Sequence, residues 1–131
     1  MQNESSPKPV FDIKAKPKGL MRLYLALLNS IRAITWLLKN ESAFRQEAFA
    51  LLVVIPLTFF INVTQTEQII LIATVFFVML IEIINTAIEV VVDRIGLELH
   101  PLSGLAKDLG SAAVSISLIL VALTWFSICF L

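Results

Sequence analysis

The sequence predicts an all-α membrane protein: an N-terminal amphipathic surface helix followed by three transmembrane helices in a single integral-membrane domain. Composition is the first of three observations behind this. Of 131 residues, 58% are hydrophobic and only 15% are charged, and the mean hydropathy is +0.89. A soluble domain is about half apolar and about a quarter charged. The second is a set of long apolar runs ending in Ile61, Val92 and Leu131. The third is a group of acids inside one of those runs, Glu82, Glu89 and Asp93. At about 100° per residue, Glu82, Asn85, Thr86, Glu89 and Asp93 fall within about 100° of one another on a helix. Charged groups at membrane depth cost about 2.5 to 3.5 kcal/mol each on insertion scales and default to a functional reading. The plainer alternative is a polar packing patch between helices.

Residues 1–19 read as a mobile basic tail, with Lys8, Lys14, Lys16 and Lys18 among Pro7, Pro9, Pro17 and Gly19. They lack the apolar core and small-residue cleavage site of a secretory signal. Such a tail suits anionic headgroups, or is simply a solvated terminus. From residue 20 to about 39, Leu20, Leu23, Leu27, Ile31, Ile34 and Leu38 recur on one face, opposite Arg22, Ala26, Asn29 and Ala33. Interspersed basic residues favour a helix lying in the interface.

Asn40 to Glu47 is a polar cluster in which Glu41 and Arg45 are spaced as i, i+4 helix neighbours. It leads into the first expected span, about 42–62, which Pro56 kinks. A short turn carrying Glu67 follows, then a second span over about 68–93, a polar connection ending near Lys107, and a third span over about 108–131. Ser111, Ala112, Ala113, Ser115 and Ser117 permit close helix approach early in that last span. The 62–68 turn and the stretch 111–131 contain no Lys or Arg, so the positive-inside rule places the N-terminus and the acidic half of the second span on the cytoplasmic side. Cys129 is the single cysteine, which excludes an internal disulfide. The net charge of zero gives no bulk basic field for nucleic acid.

Carboxylates with an amide and no thiolate ligands suit a hard cation such as Mg²⁺, held by one or two carboxylates plus substrate phosphates. Lys107, Asp108, Glu98 and His100 add a cation for phosphate and polar groups for a nucleotide. His100, alone before Pro101, reads equally as a turn residue. Neither a P-loop nor a kinase glycine-rich loop is present.

Three motifs occur in order: Asn40-Glu41-x-Ala43-Phe44-Arg45-Gln46-Glu47; Glu82-Ile-x-Asn85-x-Ala87-Ile88-Glu89 running to Asp93-Arg94; and His100-x-Leu-Ser103-Gly104-x-Ala106-Lys107-Asp108-x-Gly110-Ser111. With these motifs, residues 22–126 resemble the prokaryotic diacylglycerol kinase family. The resemblance implies a small integral-membrane homotrimer of the bacterial inner membrane with active sites shared between subunits. Its implied reaction transfers the ATP γ-phosphate to diacylglycerol, with Mg²⁺, to give phosphatidic acid. It implies Glu82 as catalytic base and Glu41 and Glu89 as metal ligands that also face the nucleotide. Arg22, Asn29, Glu98, Leu99, His100, Lys107 and Asp108 are its implied nucleotide contacts, and Asn85, Arg45, Glu47 and Ser111 support the site or the lipid. Asn29 stands where well-known members carry a nucleotide-stacking tyrosine, which puts that aromatic platform in doubt. A sister group phosphorylates undecaprenol, and His100-Pro101-Leu102 is similar to it. An ion- or proton-coupled membrane protein using Glu82 and Glu89 as a relay is the alternative of another class.

Overall fold

The computed structural model describes residues 17–131, and most of the expected basic tail, residues 1–16, lies outside the described residues. The described residues form four helices and no strand: α1 (Gly19–Asn40), α2 (Ser42–Leu57), α3 (Gln65–Ile95) and α4 (Pro101–Phe130). The chain divides into two compact units between Trp36 and Leu37, within α1.

In the first unit, the chain enters α1 through Gly19, whose φ of 63° lies in the left-handed region that glycine tolerates. Ser30 and Thr35 turn their hydroxyls onto the carbonyls of Ala26 and Ile31, so neither needs an outside partner.

The second unit is built around α3, which packs against α2 on one side and α4 on another. Leu71, Val75 and Val78 form its apolar contact surface, and Phe44 is the buried anchor from α2. At about 1.5 Å per residue, the 31 residues of α3 run about 46 Å and the 30 of α4 about 45 Å. Both exceed the bilayer core of about 30 Å. Each is long and apolar enough to cross a membrane. Their outward residues, such as Phe76, Phe77, Leu80, Ile116, Ile119 and Leu123, are exposed. A continuous apolar surface of this kind is untenable in water and is what lipid requires. The few polar side chains facing it bond their own backbone: Ser115 donates to the Ser111 carbonyl and Thr124 to the Leu120 carbonyl.

The first expected span differs in extent from α2. Helix α2 stops at Leu57, one residue past Pro56, and the chain tightens into a turn where Phe59 N donates to the Pro56 carbonyl. That switch leaves the Ile55 carbonyl to the Thr58 hydroxyl at 2.7 Å, and the same hydroxyl accepts from Gln68 Nε2 at 3.1 Å. Buried Thr58 thereby ties the end of α2 to the start of α3. Thr64 and Glu67 form a reciprocal capping box at the head of α3. Both backbone and hydroxyl donors of Thr64 hold the Glu67 carboxylate below its usual range. At the same end of the bundle Trp125 Nε1 donates to Thr74 Oγ1 at 3.3 Å, joining α4 to α3.

Candidate functional site

The polar stripe of α3 faces inward from Glu82 to Thr86 and opens outward toward Asp93. Glu82 is 6% exposed, Asn85 8% and Thr86 5%, whereas Ile84, Val90 and Val91 on the other side are exposed. If the hydrocarbon core begins near Ile69, about 20 residues of helix cross it, which puts Glu82 inside the core and Glu89 at its edge. Burial at that depth is tolerable because the stripe meets protein rather than lipid.

Two side-chain groups result. In the first, Glu82 lies within electrostatic reach of Glu89 on its own helix, of Glu41 at the head of α2, and of Glu47 one helical turn into α2. Asn85 Nδ2 donates to Glu89 Oε1 at 3.3 Å. Asn85 Oδ1 and Glu47 Oε2 are buried polar atoms with no hydrogen-bond partner. Asn85 lies against Gly110 of α4, where a Cβ atom would strike its amide.

Arg45 N donates to the Glu41 carbonyl at 3.2 Å, as their spacing suggested, but among the described residues their side chains form no ion pair. Glu41 is the extended N-cap residue between α1 and α2 (φ −107°, ψ 112°). The Arg45 guanidinium turns back to the carbonyls of Leu38 and Lys39, at 3.2 and 3.1 Å, and so satisfies the open end of α1.

The second group surrounds the connection from α3 to α4. Glu98, Leu99, His100, Ser103 and Lys107, with Asp93, line a cleft of about 570 Å³, a size ordinary for a small-ligand site. His100 is the N-cap of α4 and its Nδ1 accepts from Leu102 N at 3.1 Å. The turn role and a ligand role are therefore compatible, because Nε2 is left facing outward as a donor. Lys107 Nζ sits 2.7 Å from Asp93 Oδ1. The hydrogen bond to Asp93 holds the lysine above its usual range, so it stays a cation.

Asp93 completes this ion pair across fourteen residues of chain. Helical periodicity places Asp93 on the stripe, but its partner comes from α4. Asp108 and Ser111 are exposed on α4 and do not line the cleft. Arg22 and Asn29 belong to the first unit. There they line a separate cleft of about 520 Å³ with Pro17, Lys18 and Leu25, and the Asn29 side-chain oxygen Oδ1 accepts from the Arg32 guanidinium at 2.6 Å.

Among the described residues, no three His, Cys, Asp or Glu side chains converge as a metal-ligand set. Mg²⁺ asks for less, one or two carboxylates with substrate phosphates and water, and the all-oxygen donors around Glu89 and Glu41 fit that requirement.

The profile of the prokaryotic diacylglycerol kinase family matches residues 28–129, most of the chain and all three motifs. The chain belongs to this family. Relatives named diacylglycerol kinase include one from Haemophilus influenzae, 47% identical over 115 residues, covering 88% of this chain and 98% of the relative. Another, from Escherichia coli K12, is 51% identical over 86 residues, covering 66% and 70%. A third, from Pseudomonas aeruginosa, is 39% identical over 110 residues, covering 84% and 89%. Membership in the prokaryotic diacylglycerol kinase family accounts for a buried acid stripe on an otherwise lipid-grade helix. It also accounts for a polar cleft at the end of the bundle nearest those acids.

Proposed function

We propose that this chain is an ATP-dependent lipid kinase that phosphorylates the primary hydroxyl of diacylglycerol to give phosphatidic acid. The observation that carries the proposal is the inward-facing carboxylate of Glu82 midway along a helix long and apolar enough to cross a membrane, with Glu89 and the Lys107 cleft successively nearer the helix end, in a chain of this family. Relatives from several bacteria share the name diacylglycerol kinase, which favours that lipid over undecaprenol and a kinase over an ion relay.

Lipid and nucleotide approach such a site from opposite directions. A lipid hydroxyl reaches the site from the bilayer, and ATP reaches it from water. Glu82, deepest in the stripe, accepts the hydroxyl proton as the new O–P bond forms and the bond to the ADP leaving group breaks. Glu41 and Glu89 would hold Mg²⁺, which when bound offsets charge on the phosphates. Lys107 supplies a cation to the phosphates, and the loop of Glu98, Leu99 and His100 closes on the rest of the nucleotide. Asp108, Arg22 and Asn29 complete the nucleotide contacts in this reading, while Arg45, Glu47 and Ser111 support the lipid side. Phosphoryl transfer depends mainly on positioning and electrostatic stabilisation, and rigid helices provide both.

The assembly belongs to the same proposal: a homotrimer in which neighbouring subunits contribute to each site, as resemblance to the family implies. The protein sits in the bacterial inner membrane with its N-terminus and active site cytoplasmic, as the placement of Lys and Arg favours. In sealed cells of a Cys129→Ser background, a cysteine at Asn62 should react with an impermeant thiol reagent and one at Glu98 should not. The reverse pattern would reject this orientation.

The deciding experiment gives the purified protein labelled ATP and Mg²⁺ with diacylglycerol and undecaprenol presented separately. Label should enter phosphatidic acid. Incorporation into undecaprenyl phosphate alone, or into neither lipid, would reject the substrate or the kinase reading respectively.

A further inference from the structure

The contact between Asn85 and Gly110 does more than bring two helices together. Asn85 is almost fully buried, its Nδ2 is spent on Glu89 Oε1, and its Oδ1 has no hydrogen-bond partner. That oxygen occupies the place where any side chain at position 110 would begin. A Cβ there would strike Oδ1 and lie 3.2 Å from Asn85 Cγ and 3.8 Å from its Cα.

Small residues are ordinary at membrane helix crossings, and alanine usually suffices. Alanine does not suffice here, since the colliding atoms include the amide itself. Glycine is a poorer helix former than alanine, yet it lies ten residues into a 30-residue helix.

We propose that Gly110 is a positioning residue for Glu89: by leaving room for the Asn85 side-chain oxygen, it fixes the amide plane so that Nδ2 points at Glu89 Oε1 and holds in one orientation the carboxylate that would serve as a metal ligand. The inference rests on the reading of Glu89 as a ligand for Mg²⁺. A side chain at 110 leaves Asn85 two responses, rotation of the amide or retreat of α4, and both remove the donor from Glu89. Partners of metal ligands act in this way, by holding the ligand in one orientation, and their loss typically lowers metal affinity about 10- to 100-fold.

The test reads metal binding directly. Mn²⁺ is titrated by electron paramagnetic resonance into the full-length protein in lipid micelles with a non-hydrolysable ATP analogue, alongside the Mg²⁺ dependence of turnover. Gly110→Ala should weaken Mn²⁺ binding about tenfold or more, with much of kcat recovered at high Mg²⁺. Asn85→Ser should weaken it similarly. The double variant should be no weaker than Asn85→Ser, because no amide remains to be displaced.

Unchanged Mn²⁺ binding in Gly110→Ala or Asn85→Ser, or effects that multiply in the double variant, would overturn the proposal. If Gly110→Ala does not fold, the shorter serine at position 85 should restore folding. A double variant that still fails to fold would assign Gly110 to packing alone and overturn it too. Glu89→Gln is the reference: if it binds Mn²⁺ as the wild type does, the metal reading itself has failed, a result distinct from failure at Gly110.

Discussion

Helices α3 and α4 are alike in length and in apolar content, yet about a third of the α3 span is buried against 6% of the α4 span. The difference is a matter of which residues each turns inward. Helix α3 buries Leu71, Val75 and Val78 along one half and Glu82, Asn85 and Thr86 along the other. Helix α4 buries only Gly110 and Ser117. One helix therefore carries the buried acids and the other packs closely against them through small residues. Hydropathy cannot separate such helices, because it averages over faces. Their inward residues can.

If that division is right, the largest loss should come from the deepest acid on α3. Glu82→Gln keeps the shape and removes the proton acceptor, so kcat should fall at least about a hundredfold. Nucleotide binding and assembly should stay near wild type. Near-normal turnover in a variant that binds Mg·ATP normally would reduce Glu82 to a packing residue and remove the chemical distinction between the helices.

Next come the proposed ligands. Glu89→Gln on α3 and Glu41→Gln at the head of α2 should each weaken use of Mg·ATP about 10-fold or more, and excess Mg²⁺ should restore part of the rate because a ligand has been lost rather than the base. A Mg²⁺ titration of initial rate checks this. An unchanged metal requirement in both variants would reject the assignment.

The contribution of α4 should be smaller and of another kind. Lys107→Ala removes a cation that touches phosphate in the proposed site, so KM for Mg·ATP should rise about tenfold, the scale of one charge-assisted hydrogen bond, with a lesser change in kcat. Asp93→Asn should leave stability near that of the wild type, since a half-exposed ion pair is strongly screened. A kcat loss in Lys107→Ala as deep as that of Glu82→Gln would mean that α4 takes part in the chemistry as fully as α3.

What the sequence made legible follows the same line. The stripe from Glu82 to Asp93 was readable because helical periodicity is local, and its inner members face protein as that periodicity requires. Helices α2, α3 and α4 were readable from apolar runs and α1 from its amphipathic repeat. The early end of α2 at Leu57 was not, because a kink and a stop at Pro56 share one local pattern, and Thr58 with Gln68 favours the stop. Thr64 and Glu67 carried a capping signature that went unread. The break at Glu41 agrees with a span expected to begin near residue 42, and Arg45 N donates to the Glu41 carbonyl, but the turn of the Arg45 guanidinium back to the end of α1 is not written in their spacing. The pairing of Asp93 with Lys107 and the contact of Asn85 with Gly110 depend on how α4 crosses α3, which no spacing along the chain encodes.

The smallest expected effect lies at the far end of the same pair of helices, where Trp125 Nε1 donates to Thr74 Oγ1. Thr74→Val is nearly isosteric, so it removes the acceptor while keeping the volume, and it also frees the Leu71 carbonyl, which the Thr74 hydroxyl now contacts at 2.7 Å. In water an indole N–H buried without a partner would be expensive. Within a membrane the cost is less, because the separated helices also find other partners for their polar groups, and interhelical hydrogen bonds average about 0.6 kcal/mol in such settings. Thr74→Val should therefore lower resistance to unfolding in a denaturing-detergent titration by about that amount. Activity should not change, since Thr74 lies about 12 Å along the helix from Glu82, eight residues at about 1.5 Å each. A large fall in activity with little change in stability would show that this end of the α3–α4 contact governs the position of the acids, and α4 would then act along its whole length rather than chiefly at Gly110.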